Sequence, residues 1–199
     1  MKSIILTVAA FAALSFKAAD TKNYAFDPNN STLHWYATKV TGKHDGGVKL
    51  KSGDLTLVGD DIKAAKFVVD MTSISVTDLT DPGYNAKLVG HLKADDFFGT
   101  DKFAEATFVL KKATAGEAVA TGKSYNVEGT FTIKGVAADV SFPITIVKAG
   151  NQVSAIGKVT IDRTKYGIKY GSKSLIPDIG DKAIDDNFDI DIKLSGKAK

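Results

Sequence analysis

Residues 81–98 read DPGYNAKLVGHLKADDFF, the one stretch of this 199-residue chain where a two-residue alternation gives way to a helical period. Asp81 is suited to accept from the first free helical N–H groups, and Pro82 fits the first helical position, where a missing N–H is no loss. Tyr84, Leu88 and Leu92 then recur every four residues with Val89 beside them, which predicts an apolar face. A helix of about three turns is too short to be stable alone, so this one must dock. Phe97 and Phe98 follow directly after Asp95 and Asp96. The segment therefore reads as a helix and two phenylalanines laid against the end of a β-barrel, with the remainder of the chain as its wall.

The wall is legible from period-two patterning. Residues 31–41 place Leu33, Trp35 and Ala37 on one face. Glycine-rich 42–47 reads as a turn, and 48–57 as a strand bent at Ser52-Gly53. Residues 62–76 read as one long strand carrying Phe67, Val69 and Met71. Beyond the helix come 106–111 with Phe108, 125–134 with Phe131 and Ile133, 140–146 with Phe142, then 153–161 and 188–194. Pro143 cannot donate to a ladder, so one side of its strand should be interrupted there. The expected fold is all-β: an eight-stranded antiparallel up-and-down barrel, with the helix in the connection between strands 3 and 4. Closure removes sheet edges, and at eight strands the interior is either filled by side chains or holds one slender ligand. Alternation alone fits both.

The length suits a single barrel domain, and 44% hydrophobic with 25% charged residues is ordinary for a globular protein. The absence of cysteine excludes disulfides, thiolate metal sites and cysteine nucleophiles. A net charge of +3, with both signs interspersed, is far from that of a nucleic-acid groove. At the N-terminus, Met1-Lys2 precedes the apolar run Ile4–Leu14. This order predicts a signal peptide cleaved between residues 15 and 19, leaving 20–199 as a single domain. The run falls short of the roughly 20 apolar residues a bilayer span needs. No cysteine follows it to take a lipid, so no stable membrane anchor is expected. The expected location is the periplasm or beyond.

Catalytic patterns are missing. His34, His44 and His91 stand at no metal-ligand spacing, and no G-x-S-x-G elbow is present. The pairs Asp95-Asp96 and Asp185-Asp186 read as turn formers and solvated ends. The expectation is a protein without catalytic residues, metal or cofactor.

GHLKADDFF (90–98) with KFAEATF (102–108) resembles the signature of the YceI-like family of bacterial lipid-binding proteins. The resemblance continues in order through WYATKVTGKHDG (35–46), VVDMTSISVTDL (68–79), VEGTFTIKGV (127–136), IDRTKYGIKYGS (161–172) and GDKAIDDNFDIDIKL (180–194). It implies a lipocalin-like barrel and an exported carrier of a long isoprenoid lipid, either a polyprenyl phosphate or the tail of a quinone. It also implies that the protein can form a homodimer. The family motifs fall on His91, Leu92, Asp96, Phe97 and Phe98, and on Arg163, Tyr166 and Gly167. From alternation, the cavity wall would be Leu33, Trp35, Phe67, Val69, Phe108, Phe131, Ile133 and Phe142, with Leu88, Leu92, Phe97 and Phe98 closing it. A one-residue slip in register would turn each set outward. His91, Arg163 and Tyr166 are the polar candidates for a head group. Many members carry an Arg-Asp pair where this chain has Leu88-Val89, a departure that points to a neutral head group or none. The competing reading is a solid-cored envelope or stress protein that acts through its surface.

Overall fold

A computed structural model describes residues 19–199; the expected signal segment lies outside the described residues. Nine strands form one antiparallel sheet: β1 (Thr21–Phe26), β2 (Thr32–Lys39), β3 (Gly42–Val58), β4 (Asp61–Asp70), β5 (Glu105–Ala115), β6 (Lys123–Ile133), β7 (Val136–Ala149), β8 (Gln152–Asp162) and β9 (Ile184–Ala198). Strands β2 to β9 run in the order β3-β2-β9-β8-β7-β6-β5-β4, and pairing of β3 with β4 closes the ring. The extra strand does not widen it. β1 pairs with Gly53–Val58 of β3, and β2 pairs with the Gly42–Val48 half of the same strand. The two are successive halves of one stave, broken by a 3-10 turn at Pro28–Asn30 that Asp27 caps through Asn29 N–H at 2.9 Å. The result is a closed eight-stave barrel.

The helix, α1 (Pro82–Lys93), follows β4, not the third strand as expected; the sequence reading had passed over β1. Asp81 caps it as its chemistry demands, accepting from Tyr84 N–H at 2.9 Å. Its docked face is turned from the expected one. Tyr84 is 69% exposed, whereas Leu88, Val89 and Leu92 pack on the core, and Asn85 faces in to donate to the carbonyls of Val76 and Leu79, both at 3.0 Å.

Two further corrections concern strand length. Gly42–Gly47 is strand, paired with β2, because Trp35 of β2 covers Gly46. β4 stops at Asp70, whose side chain caps a 3-10 turn at Met71–Ser73, so 71–76 is not strand. The bend in β3 falls at Lys51, just before the expected Ser52-Gly53. Further register shifts occur near Lys63 on β4 and Lys111 on β5. Each extra residue switches which parity faces inward, so Val48 and Leu50 share the interior with Leu55 and Leu57. β7 pairs with β8 only over Ile144–Ala149, and Pro143 stands at the start of the unpaired part, as its missing N–H requires.

The two ends of the barrel differ. At the hairpin end the strands are joined by short connections around Gly59, 116–122 and Gly150. At the capped end lie two long segments, 71–104 with α1, and 163–183.

Candidate functional site

The lumen holds two apolar chambers. One, of about 80 Å³, lies toward the hairpin end among Phe26, Leu55, Ile62, Phe108, Val127, Phe142 and Ile146. The other, of about 130 Å³, lies toward the capped end among Trp35, Met71, Leu92, Phe97, Phe98, Ile133, Ile161 and Phe188. Leu33, Val69, Phe131 and Ile192 border both and form the waist between them. Each chamber exceeds the roughly 10–15 Å³ that one water needs, yet its wall offers water almost no polar partner. This is space suited to hydrocarbon.

Each chamber stays open because large rings lie along the wall instead of across it. Phe67 lies over Gly53, where a Cβ would meet its ring at 2.6 Å. Phe108 lies over Gly129 with the corresponding distance at 2.4 Å, and Trp35 over Gly46 at 2.8 Å. An inward glycine on the neighbouring strand thus gives each ring a recess. The phenylalanines then meet near the waist, Phe108 tilted against Phe131 at 5.0 Å and edge to face with Phe142 at 5.5 Å between centroids.

The capped end is closed by a strap and α1. After β4 ends, Ser75 and Thr77 N–H groups donate to Gly47 and Asp45 carbonyls of β3, each at 2.9 Å, and Trp35 Nε1 donates to Ser75 O at 3.1 Å. Outside, Asp45 accepts from Thr77 Oγ1 at 2.7 Å and pairs with His34 at 2.8 Å, contacts that hold its carboxyl below the usual range. His44 pairs with Asp78 at 2.8 Å. His44 therefore latches the strap directly, and His34 does so only through Asp45. The third, His91, pairs with Asp96 at 3.3 Å and meets Tyr170 edge to face at 4.4 Å between centroids.

Arg163 is 2% exposed and borders the capped-end chamber. Its Nε donates to Asp185 O at 3.0 Å, Nη1 to Ile168 O and Tyr170 O at 3.1 and 2.7 Å, and Nη2 to Ile184 O at 3.1 Å. Asp186 stands 3.6 Å away. Burial pulls the guanidinium below its ordinary pKa, against the opposing pull of Asp186. Arg163 is thus the clasp that folds 168–185 back onto the barrel, with four donors committed to backbone.

The wall residues Leu33, Trp35, Phe67, Val69, Phe108, Phe131, Ile133 and Phe142 all border the chambers, as do Leu92, Phe97 and Phe98. Leu88 packs behind them without reaching the lumen. His91 and Tyr166 also lie outside both chambers; Tyr166 is buried under the barrel end, where burial pushes its hydroxyl up to about 12. The sequence reading omitted Phe26, Ile62, Phe188 and Ile192 from the wall. Phe188 and Ile192 were visible in the alternation of the last strand; Phe26 lay in the stave half that was passed over. Of the carboxylate pairs, Asp95 takes Lys102 at 2.5 Å as a surface contact, whereas Asp186 takes the Ser174 hydroxyl and faces buried Arg163, so it is not the solvated end expected. No cluster of three or more metal-ligating side chains occurs among the described residues.

The model of the YceI-like domain matches residues 24–196. The chain belongs to the YceI-like family. This member is 31% identical over 160 residues to a UPF0312 protein of Staphylococcus aureus, covering 74% of this chain and 83% of that one. Among solved structures, it resembles BcnA of Burkholderia cenocepacia with a TM-score of 0.65 at 24% identity, over 85% of this chain and 98% of that one. A polyisoprenoid-binding domain from Saccharophagus degradans matches with a TM-score of 0.62 at 16% identity, over 92% of this chain and all of that one. At such identities the likeness is one of fold.

Proposed function

We propose that this protein is a non-catalytic carrier that holds the slender hydrocarbon tail of an isoprenoid lipid along the barrel axis. The observation that carries the reading is the pair of apolar chambers meeting at one waist. The fold likeness to a polyisoprenoid-binding domain supports it. Each methylene moved from water into such a wall contributes about 0.8 kcal/mol, so a long tail supplies ample affinity without polar contacts. The chambers are narrow, and a continuous tail must displace the Phe131 ring at the waist.

The head group is best read as uncharged, as in a quinone. Among the described residues Arg163 is the single cationic side chain bordering the chambers, and backbone carbonyls already occupy four of its five donors, with Asp186 3.6 Å from Nη2. A phosphate would find no free cation there. The Met1-Lys2 start and the Ile4–Leu14 run support export to the periplasm, where an insoluble tail needs a water-soluble carrier.

Organic extraction of purified protein followed by mass spectrometry tests the reading. A prenyl lipid near one per chain is the expected result, lost in a folded Phe131→Glu variant. Clean extracts from protein made in several hosts would overturn it and favour a solid barrel that works through its surface.

A further inference from the structure

Six of the ten strongly exposed large apolar side chains among the described residues sit at the capped end: Val40, Tyr84, Val136, Tyr170, Leu175 and Ile176. Only Val119 belongs to the hairpin end. The lysines differ in a similar direction, although Lys22 and Lys197 at the hairpin end are also without a carboxylate within salt-bridge distance among the described residues. At the hairpin end Lys123 and Lys148 pair with Asp60, Lys63 with Asp61, and Lys199 with Asp54. At the capped end Lys102 is paired, but Lys165, Lys169 and Lys173 are exposed and have no carboxylate within salt-bridge distance among the described residues. From Arg163 to Pro177 the chain has no acidic residue at all; Asp178 and Asp181 come only after it. Unpaired lysines thus precede exposed Leu175 and Ile176 on one loop, and Arg163 ties that loop to the rim of the larger chamber.

Apolar side chains that would enter the acyl boundary, ringed by cations that meet lipid phosphates, are the two features that bind a protein face to an anionic bilayer. We propose that the capped end docks on an anionic lipid surface through Leu175 and Ile176, with Lys165, Lys169 and Lys173 against the head groups. The inference rests on the carrier reading and deepens it: the chamber mouth would face the bilayer from which a tail is drawn. The ion-paired hairpin end faces water.

The test is co-sedimentation of residues 20–199, which include every described strand, with vesicles of phosphatidylcholine with or without phosphatidylglycerol. Binding is expected only with the anionic lipid, and should weaken in high salt. Lys165→Glu/Lys169→Glu/Lys173→Glu should lower partitioning about a hundredfold or more, by roughly fivefold per lysine removed. Leu175→Ser/Ile176→Ser should reduce binding in low salt as well. Lys22→Glu/Lys197→Glu at the hairpin end should leave binding unchanged. Equal binding to neutral and anionic vesicles, or loss of binding only in the hairpin-end variant, would overturn the proposal. So would a lipid-free dimer that Leu175→Ser/Ile176→Ser dissociates, which would assign the face to a second copy. Mass spectrometry of the same preparations separates the two readings. Lipid-loaded protein that ignores vesicles refutes docking alone, whereas vesicle binding by protein that never yields a prenyl lipid refutes the carrier.

Discussion

The hairpin end and the capped end close the same barrel by different physics. At the hairpin end the turns are short and charges lock them: Asp60, between β3 and β4, takes Lys123 at 2.6 Å and also Lys148, while the Tyr125 hydroxyl donates to Asp60 O. Tyr24, Leu57 and Val153 are buried to about 1% exposure beneath them. At the capped end the closure is a strap, a three-turn helix and a loop held by one buried arginine. The first closure joins short turns by ion pairs that reach across the rim from Asp60 to β6 and β7. The second hangs a long strap, a helix and a loop on few anchor points, so it is the end where a barrel of this kind can open.

The largest effect expected is at the capped-end clasp. Arg163→Ala strips the carbonyls of Ile168, Tyr170, Ile184 and Asp185 of their donor and leaves Asp186 without its counter-charge, at a cost of about 3–5 kcal/mol. Denaturant unfolding would measure the loss, and hydrogen exchange should show it concentrated in 168–185; protection unchanged there would break the contrast. Next comes the strap. A Cβ on Gly46 would meet Ser75 O at 1.9 Å, so Gly46→Ala must push the strap away, at about 1–3 kcal/mol. Faster exchange at the Ser75 and Thr77 amides would report it. Asp81→Ala removes the α1 cap and should cost about 1 kcal/mol by thermal or denaturant melting.

The smallest effect belongs to the other end. Hydrogen bonds from Lys123 and Lys148 lower the Asp60 pKa to about 2. A carboxylate held below its unfolded value adds stability above about pH 4 that disappears as pH falls to about 2. Asp60→Asn should therefore flatten the stability–pH curve slightly between those values and lower neutral-pH stability by the same small amount, about 0–1 kcal/mol for an exposed pair. A steep acid limb surviving in Asp60→Asn would place the acid sensitivity at Asp45 and the strap instead.

Local signals gave what local physics controls. Asp81 and Pro82 marked the start of α1 because capping involves only the next few residues. Strand faces were legible where the ladder is regular, as from Val127 to Ile133 and from Phe142 to Ile146. They blurred at Lys51, Lys63 and Lys111, since a bulge exists only relative to a partner strand. Gly42–Gly47 read as a turn because three glycines look like one until Trp35 is seen lying across the neighbouring stave. Tyr84 was placed on the docked side of α1 by spacing alone, but the polar pull of the Val76 and Leu79 carbonyls on Asn85 rotated the helix away from it.

By itself the sequence determined an antiparallel barrel wall, a capped helix interrupting it, and a family signature across nearly the whole described chain. Those properties depend on neighbours a few residues apart, or on motifs that survive as text. Only tertiary structure decided that the first stave is made of two strands, that Arg163 is a backbone clasp, and that the lumen is two chambers joined at a waist. Each of these depends on which distant segments face one another across the barrel, and no local spacing encodes that.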